Sequence, residues 1–443
     1  MKAALLTSLV VFFVHFSSPF CFAQSDVITA VPSGVRVRKA IESLLPAEQQ
    51  LMSEARKQVY PVFVFIPGIL GSKLTKIQAN DNRQVIWGQI NLSDLLSKPN
   101  AAIAYEETDK VLAEPLDTFY VAGHGSDIYG NALATIRAMN AGNSENVLWF
   151  SYDWRQSNRL SAKNLANWLC QPEQRKKIEG KKVVFIAHSM GGLVLKYWLK
   201  HFYDDQGCGS DKFADWLKVR ELVFAGTPSF GAAKAASALG AGTTLLVNAT
   251  GGGAIWQELA KIDAATLSKN LNTYGIYFPS AYELLPILRR SDGAPSCLPD
   301  QNDRPSILIT PQIGESRPAN IFSPQTWREI GWPLQLKGME RETFLNEKLP
   351  KLLDSAEKFL CDVGSYRPEE RFDVLRFVGD RQKTICLITL TQPTQSGQPY
   401  SIKEETCPGD GTVPAWIAKE VSRSKRGLSR PNGQLHDNLL EPD

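Results

Sequence analysis

The sequence lacks a strong excess of charge, any close pair of cysteines and a long apolar run beyond its first residues. Its 443 residues contain 49 Lys and Arg against 46 Asp and Glu, so a nucleic-acid partner is not expected. The absence of a C-x-x-C spacing argues against a zinc site and against thiol redox exchange. No later segment reaches 18 uninterrupted apolar residues, so no membrane-spanning helix is predicted there. We expect neither a metal nor a cofactor.

The first 23 residues have the three regions of a secretory signal peptide. Lys2 precedes an apolar run, and Cys21 and Ala23 supply small residues near the expected cleavage point. Cleavage would leave residues 24–443 secreted or periplasmic and would lower the net charge from +3 to +2, because Lys2 is lost. An uncleaved anchor and a lipoprotein acylated at Cys21 are the alternatives.

An even number of cysteines remains after the leader, and an oxidising compartment favours disulfides among them. The pairing cannot be derived from the sequence. The six residues are Cys170, Cys208, Cys297, Cys361, Cys386 and Cys407.

The stretch V-V-F-I-A-H-S-M-G-G-L, residues 183–193, carries the main chemical signal. Its apolar start predicts a buried strand, Gly191 and Gly192 a sharp corner, and residues 193–202 a helix. A serine on such a strand-turn-helix bend projects its hydroxyl clear of the sheet, which is the geometry of a nucleophile elbow. Ser189 is therefore the candidate nucleophile, although so short a pattern also fits an ordinary turn.

A second strand, residues 62–66, ends in P-G-I-L-G-S-K-L. A glycine-rich turn at a strand end can aim backbone N–H groups at one point, as an oxyanion hole requires. We expect the amides of Ile69 and Met190 to form that hole. A plain turn with two glycines is the alternative interpretation.

Strands and helices alternate through the first half of the chain, which predicts a mostly parallel sheet with helices on both faces. The loop Y-D-W-R, residues 152–155, follows the strand predicted at 146–152. We expect Asp153 and Arg155 to stabilise this loop by a local ion pair or by backbone hydrogen bonds, rather than to act in catalysis.

An activated serine needs a histidine base and an acid that orients it. His188 adjoins the serine and points away, and His201 lies too far along the following helix. His124 precedes the serine, whereas the hydrolase order is serine, acid, histidine. His436, near the carboxyl end, is the remaining candidate.

The acid must lie between the serine and that histidine. Asp410 sits in P-G-D-G-T-V-P, where flanking glycines and prolines predict a rigid loop. Asp380, in the G-D pair after a strand predicted at 374–378, is the alternative.

Two regions look like insertions in a single domain that spans residues 24–443. Residues 75–126 are irregular, and a cap or lid is expected at about 230–320. Its Ala/Gly-rich part, 232–260, suits a mobile lid, or a small-residue helix packed on the sheet.

Aromatic side chains in these regions are candidates for substrate contact. The stretch 274–286, Y-G-I-Y-F-P-S-A-Y-E-L-L-P, would line an acyl pocket or the core. Trp87, Trp256 and Tyr282 are the candidate substrate-binding residues.

Six motifs in this order, followed by a late histidine, resemble the lecithin:cholesterol acyltransferase family, which includes lysosomal phospholipase A and phospholipid:diacylglycerol acyltransferase. The motifs are P-G-I-L-G-S-K-L, Y-D-W-R, A-H-S-M-G-G, G-T-P-S-F-G, S-A-Y-E-L-L-P and D-G-T-V-P.

The resemblance covers about residues 62–436 and implies an α/β-hydrolase fold with cap and lid. It also implies the triad Ser189, Asp410 and His436, together with the Ile69 and Met190 oxyanion hole. The chain departs from the family at Ser229 and Phe230, where relatives have a tryptophan and a second glycine, and it has no cysteine around Trp87. These departures leave the substrate and the acceptor open.

The resulting hypothesis is a serine acyl hydrolase or acyltransferase that acts on a phospholipid or other lipid ester at a membrane or lipid surface. Water or an alcohol would accept the acyl group. A neutral lipase or carboxylesterase is the first alternative. A catalytically idle hydrolase fold that binds lipid or glycan is the second.

Overall fold

The computed structural model describes most of the chain between residues 61 and 419. The predicted leader, the Ala/Gly-rich part of the predicted lid beyond residue 242, Trp256 and His436 lie outside the described residues. The described ranges are 61–78, 81–90, 101–121, 124–139, 144–205, 207–242, 271, 273–287, 306–395 and 398–419.

Seventeen strands and eleven α-helices are assigned within these ranges. The strands are Val62–Ile66 (β1), Ser72–Ile77 (β2), Arg83–Trp87 (β3), Gln89–Ile90 (β4), Val111–Pro115 (β5), Thr118–Val121 (β6), His124–Asp127 (β7), Val147–Trp149 (β8), Lys182–His188 (β9), Gly207–Cys208 (β10), Asp211–Lys212 (β11), Lys218–Ala225 (β12), Ile307–Thr310 (β13), Arg317–Pro318 (β14), Val374–Phe377 (β15), Gln382–Thr391 (β16) and Ser401–Gly409 (β17). The helices are Gly130–Met139 (α1), Asn158–Leu169 (α2), Pro172–Ile178 (α3), Met190–His201 (α4), Phe213–Trp216 (α5), Ala233–Ala241 (α6), Pro279–Tyr282 (α7), Pro324–Glu329 (α8), Gly338–Thr343 (α9), Leu349–Ser365 (α10) and Ala415–Lys419 (α11).

The central sheet has five strands in the order β15-β12-β9-β1-β8, and every neighbouring pair is parallel. The predicted parallel sheet is therefore confirmed. Ile66 of β1 pairs with Ala187 of β9, and His188 of β9 pairs with Ala225 of β12. The loops after these three strands consequently leave the same edge of the sheet side by side.

Strand β1, V-F-V-F-I, is buried along its whole length because both faces of the sheet are covered. Side chains alternate between faces along a strand. Val64 and Ile66 join the large core that contains α2, α4 and α10. Phe63 and Phe65 join the smaller core beneath α1. Each face thus has its own apolar layer, which holds the strand ends in place.

The region 75–126 is more regular than the sequence predicted. Two three-stranded sheets run through it, with the orders β3-β2-β5 and β4-β6-β7. These strands have at most six residues each. Most of them mix polar and apolar residues and lack a continuous apolar run such as that of β1. A fourth sheet, β14-β13-β16-β17, leads into the loop that carries Asp410.

A disulfide joins Cys170, at the end of α2, to Cys208 in β10, and Cys361 is also disulfide-bonded. Among the helices of the described ranges, none has the length and apolar character that crossing a membrane requires.

The loop Y-D-W-R is stabilised by the predicted ion pair. Arg155 is fully buried, and its Nε and Nη2 donate to the two carboxylate oxygens of Asp153 at 2.9 and 2.8 Å. Its Nη1 donates to the carbonyl oxygens of Ile103 and Ala104 at 3.0 and 2.9 Å. Asp109 lies 3.5 Å from Nη2. Arg155 therefore connects the loop after β8 to the segment that precedes β5.

Replacing Arg155 by Met should destabilise the protein by about 3 to 5 kcal/mol, because the buried Asp153 carboxylate would lose its partner. Arg175→Met is the matched control. Arg175 pairs with Glu179 and Asp211 at partly exposed positions, so its loss should cost about 1 kcal/mol or less. Urea unfolding midpoints provide the measurement. Equal shifts for the two variants would contradict the assigned role of Arg155.

Candidate active site

Ser189 lies between β9 and α4 in a backbone conformation that L residues rarely adopt, with φ of 53° and ψ of −126°. Its N–H donates to the carbonyl oxygen of Ala225 on the neighbouring strand at 2.7 Å. Its side chain makes no capping hydrogen bond to the helix that it precedes. A non-glycine residue with positive φ stores backbone strain, and here the strain turns the hydroxyl out of the sheet.

The two glycines after this serine act differently from the prediction, which placed the corner at them. They lie inside the first turn of α4, and the corner is Ser189 itself. A Cβ on Gly191 would lie 2.6 Å from the carbonyl oxygen of Ile66, and one on Gly192 would overlap the side chain of Thr227. Both positions need glycine because the helix starts against two other strand ends.

The loop after β1 covers the serine. A Cβ on Gly68 would lie 2.9 Å from Cβ of Ser189, and the N–H of Gly71 closes a turn onto the carbonyl oxygen of Gly68 at 3.1 Å. The amides of Ile69 and Met190, the predicted oxyanion donors, donate no hydrogen bond to any described residue. Both N–H groups are thus available to a ligand beside Ser189.

Three aromatic side chains hold this loop. The indole Nε1 of Trp87 donates to the carbonyl oxygen of Leu70 at 2.8 Å, and the phenol of Tyr152 donates to that of Pro67 at 2.9 Å. The amide of Gly68 donates to the phenol oxygen of Tyr129 at 3.1 Å. Trp87 was predicted to contact substrate. Its side chain is buried in the core, where it supports this loop.

The Tyr129 phenol also lies 2.8 Å from Nδ1 of His188, the residue before the serine. Burial lowers the pKa of His188 to about 4, so the imidazole is neutral at pH 7 and Nδ1 can accept the phenolic proton. Burial raises the pKa of Tyr129 above its usual value, which keeps that proton in place. Tyr129 was not predicted from the sequence, because no local pattern marks a tyrosine at the start of a helix.

The carboxylate of Asp410 lies at the end of β12, the neighbour of the strand that Ser189 follows. A Cβ on Gly226, which directly follows β12, would lie 2.8 Å from Oδ2 of Asp410. Oδ1 accepts the amides of Thr412 and Val413 at 2.8 and 2.7 Å. Oδ2 accepts no hydrogen bond from the described residues, so this oxygen is available to an imidazole. Asp380 follows β15, one strand farther from Ser189.

A buried lysine lies beside this carboxylate. Nζ of Lys234, in α6, donates to the carbonyl oxygen of Gly411 at 3.2 Å. Burial raises the pKa of Asp410, while the amides of Val413 and Thr412 and the charge of Lys234 oppose that rise. Burial lowers the pKa of Lys234 to about 8, against the opposing effect of Asp410 and Glu404. No sequence pattern predicted a role for this lysine.

The remaining predicted residues separate into three groups. His201 contacts Asp362 through Nε2 at 2.5 Å on the far end of α4, which agrees with a surface role. Tyr282 is fully buried and donates to the carbonyl oxygen of Ile276 at 2.8 Å, so it packs in the core. His436 and Trp256 lie outside the described residues and stay predictions.

Within the described ranges, no group of three His, Cys, Asp or Glu side chains could hold a metal ion.

A parallel sheet covered on both faces, with a left-handed serine between a central strand and a helix, defines an α/β-hydrolase. The family model described as lecithin:cholesterol acyltransferase matches residues 111–286, and the chain is similar to that family over these residues. The predicted resemblance is thus confirmed. No curated protein matches the chain.

Among solved structures, one chain from "The crystal structure of Tle4-Tli4 complex" is similar to this protein. The TM-score is 0.50 at 14% identity, and the match covers 82% of this chain and 89% of that one. At this identity the likeness supports the fold alone. Together with the family match, the fold supports an enzyme that hydrolyses or transfers acyl groups of lipid esters.

The carboxyl of Glu283, in the S-A-Y-E-L-L-P motif, gives a pH-dependent prediction. Burial raises the pKa of Glu283 to about 8, although the Asn158 amide and Arg159 oppose this. The unfolded chain, with a pKa near 4.5, loses this proton earlier. The contribution of Glu283 to stability should therefore fall as the pH rises from about 4.5 to 8, by up to roughly 1.4 kcal/mol per pH unit.

Glu283→Gln cannot ionise and keeps an acceptor for the Asn158 amide, so it should gain stability relative to the wild type as the pH rises from 5 to 8. Glu342→Gln, at an exposed position, is the control and should show no such trend. Thermal unfolding midpoints at several pH values test this. A pH-independent difference for Glu283→Gln would exclude the elevated pKa.

Proposed function

We propose that this protein is a serine acyl hydrolase or acyltransferase that cleaves a phospholipid acyl ester through an acyl-enzyme. The observation that carries the proposal is Ser189 in its left-handed turn, with the amides of Ile69 and Met190, which bond to none of the described residues, beside it. An oxyanion hole needs N–H donors that no other group of the protein occupies.

In this mechanism His436 accepts the Ser189 proton as the hydroxyl attacks the ester carbonyl carbon. The developing oxyanion accepts hydrogen bonds from the Ile69 and Met190 amides. His436 then donates the proton to the leaving lipid alcohol, which leaves the acyl group on Ser189 Oγ. Water or an alcohol attacks this ester with His436 again as base, and the free enzyme is restored.

Asp410 is the proposed acid of the triad. Its Oδ1 is held by two backbone amides, and Oδ2 is available to accept the Nδ1–H of His436. This bond would keep the imidazole in the tautomer that leaves Nε2 free for the serine proton. Lys234 supports the proposal because its charge favours the ionised carboxylate that the imidazole needs.

The lipid substrate and the location outside the cytoplasm belong to the same proposal. The family match supports a lipid ester, and the Cys170–Cys208 disulfide agrees with an oxidising compartment. A secreted or periplasmic enzyme would meet its substrate at a membrane or lipid surface.

Ser189→Ala should abolish ester hydrolysis and covalent labelling by a fluorophosphonate, since both require the serine oxygen. Asp410→Asn should lower kcat by roughly 10²- to 10⁴-fold, because the imidazole loses its orienting acceptor. Asp380→Asn is the matched control and should keep wild-type kcat. Release of p-nitrophenol from a short ester measures all three variants. Hydrolysis retained by Ser189→Ala, or no labelling of the wild type, would refute the proposal.

Substrate class is tested by comparing turnover on phospholipid vesicles with turnover on a short soluble ester, followed by product analysis with and without an added long-chain alcohol. We expect fatty acid from vesicles, and an alkyl ester in addition when the alcohol is present. Turnover confined to the soluble ester would indicate a carboxylesterase instead.

A further inference from the structure

The predicted oxyanion hole is built from two segments that are far apart in the chain. Ile69 lies in the loop after β1, and Met190 lies at the start of α4. Groups that stabilise a transition state must keep their spacing within about 0.5 Å. The pairing of β1 with β9 ends at Ile66 and Ala187, so a link beyond that pair would fix the spacing of these amides.

Tyr129 is such a link. Its phenol oxygen accepts the Gly68 amide at 3.1 Å, one residue before Ile69. The same oxygen lies 2.8 Å from Nδ1 of His188, two residues before Met190. Trp87 and Tyr152 also bond the loop, but the bonds of their side chains go to carbonyl oxygens of the loop itself. Tyr129 joins the loop to the elbow.

The ring of Tyr129 is itself well fixed. It is buried, and it makes edge contacts with Phe65 and Trp149 at centroid distances of 5.0 and 5.6 Å. Its backbone N–H donates to the carbonyl oxygen of Asp117 at 3.1 Å. These contacts do not involve the hydroxyl, so a phenylalanine at this position would keep the packing and lose the hydroxyl's contacts with Gly68 and His188.

We infer that Tyr129 is a positioning residue whose hydroxyl sets the spacing of the Ile69 and Met190 amides around the transition-state oxyanion. The Tyr129 hydroxyl accepts the Gly68 amide. The next amide of the loop, that of Ile69, is then the one that can donate to the oxyanion. The inference rests on the proposed function of Ser189, and it adds a residue outside the triad to the catalytic geometry.

Tyr129→Phe tests the link. We expect kcat to fall about 10- to 100-fold with KM changed less than about 3-fold, because the hole acts on the transition state rather than on the bound ester. Binding of an alkyl boronic acid, whose tetrahedral serine adduct places an oxygen in the hole, should weaken by the same factor as kcat/KM.

Tyr203→Phe is the matched control. Tyr203 is also buried, and its hydroxyl donates to the carbonyl oxygen of Leu217 at 3.0 Å, outside the elbow and the loop. The Tyr203→Phe variant should lower the unfolding midpoint about as much as Tyr129→Phe does, and it should leave kcat and boronate binding unchanged. If Tyr129→Phe lowers kcat no more than this control does, the inference is wrong.

The His188 side of the link is tested by rescue. His188→Asn places an acceptor near the position of Nδ1 and should keep kcat within a few fold of the wild type, whereas His188→Leu should resemble Tyr129→Phe. The double variant Tyr129→Phe/His188→Leu should be no slower than either single variant, because one link is removed in each case. Additive losses would overturn the link.

The proposed function can fail separately. Activity retained by Ser189→Ala would refute the nucleophile, whatever Tyr129 does. An inactive Ser189→Ala variant together with full activity of Tyr129→Phe would refute only the positioning role.

Discussion

The left-handed backbone of Ser189 is the constraint on which the site depends. A residue with a side chain adopts φ of 53° only where the surrounding structure enforces it. Here the Ser189 amide is bonded to β12, and α4 starts immediately afterwards against the ends of β1 and β12. The close approach of these three strand ends requires glycine at positions 191 and 192. A buried parallel sheet thus supplies both the strain and the rigidity that an exposed serine hydroxyl needs.

Buried aromatic and charged side chains extend this rigidity to the loops around the serine. Phenol and indole groups bind the loop after β1 at three of its first four residues, Pro67, Gly68 and Leu70. Arg155 holds the loop that contains Tyr152 through its bonds to the carbonyl oxygens of Ile103 and Ala104. Such polar groups are costly to bury unless they are paired, and each of these bonds joins segments that are distant in the chain. The hydrogen bonds offset the cost of burying these groups, and they also fix the geometry of the site.

Buried polar and charged groups also fix the carboxylate of Asp410. Asp410 is held by two amides of its own turn and lies against the end of β12. Burial disfavours its ionised form, whereas the amides of Val413 and Thr412 and the buried cation of Lys234 favour it. The balance between burial and these favourable interactions decides how readily the carboxylate can orient an imidazole. Lys234 belongs to α6, so the helix at the start of the predicted lid region also contributes to the electrostatics of the acid.

Local patterns in the sequence were enough to predict the buried strands β1 and β9, the elbow serine and the ion pair of Asp153 with Arg155, because each depends on residues close together in the chain. The parallel sheet joins strands that are far apart, and the alternation of strands and helices predicted it. The short strands between residues 72 and 127 escaped prediction, since most of them mix polar and apolar residues and lack a continuous apolar run such as that of the five-residue β1. Trp87 and Tyr282 looked like substrate contacts because aromatic residues serve pockets and cores alike, and burial shows that both pack inside.

Tyr129 and Lys234 could be found only in the tertiary structure. Their partners lie 59 and 177 residues away, and no spacing in a single sequence specifies which distant backbone amide or carbonyl a buried side chain will meet.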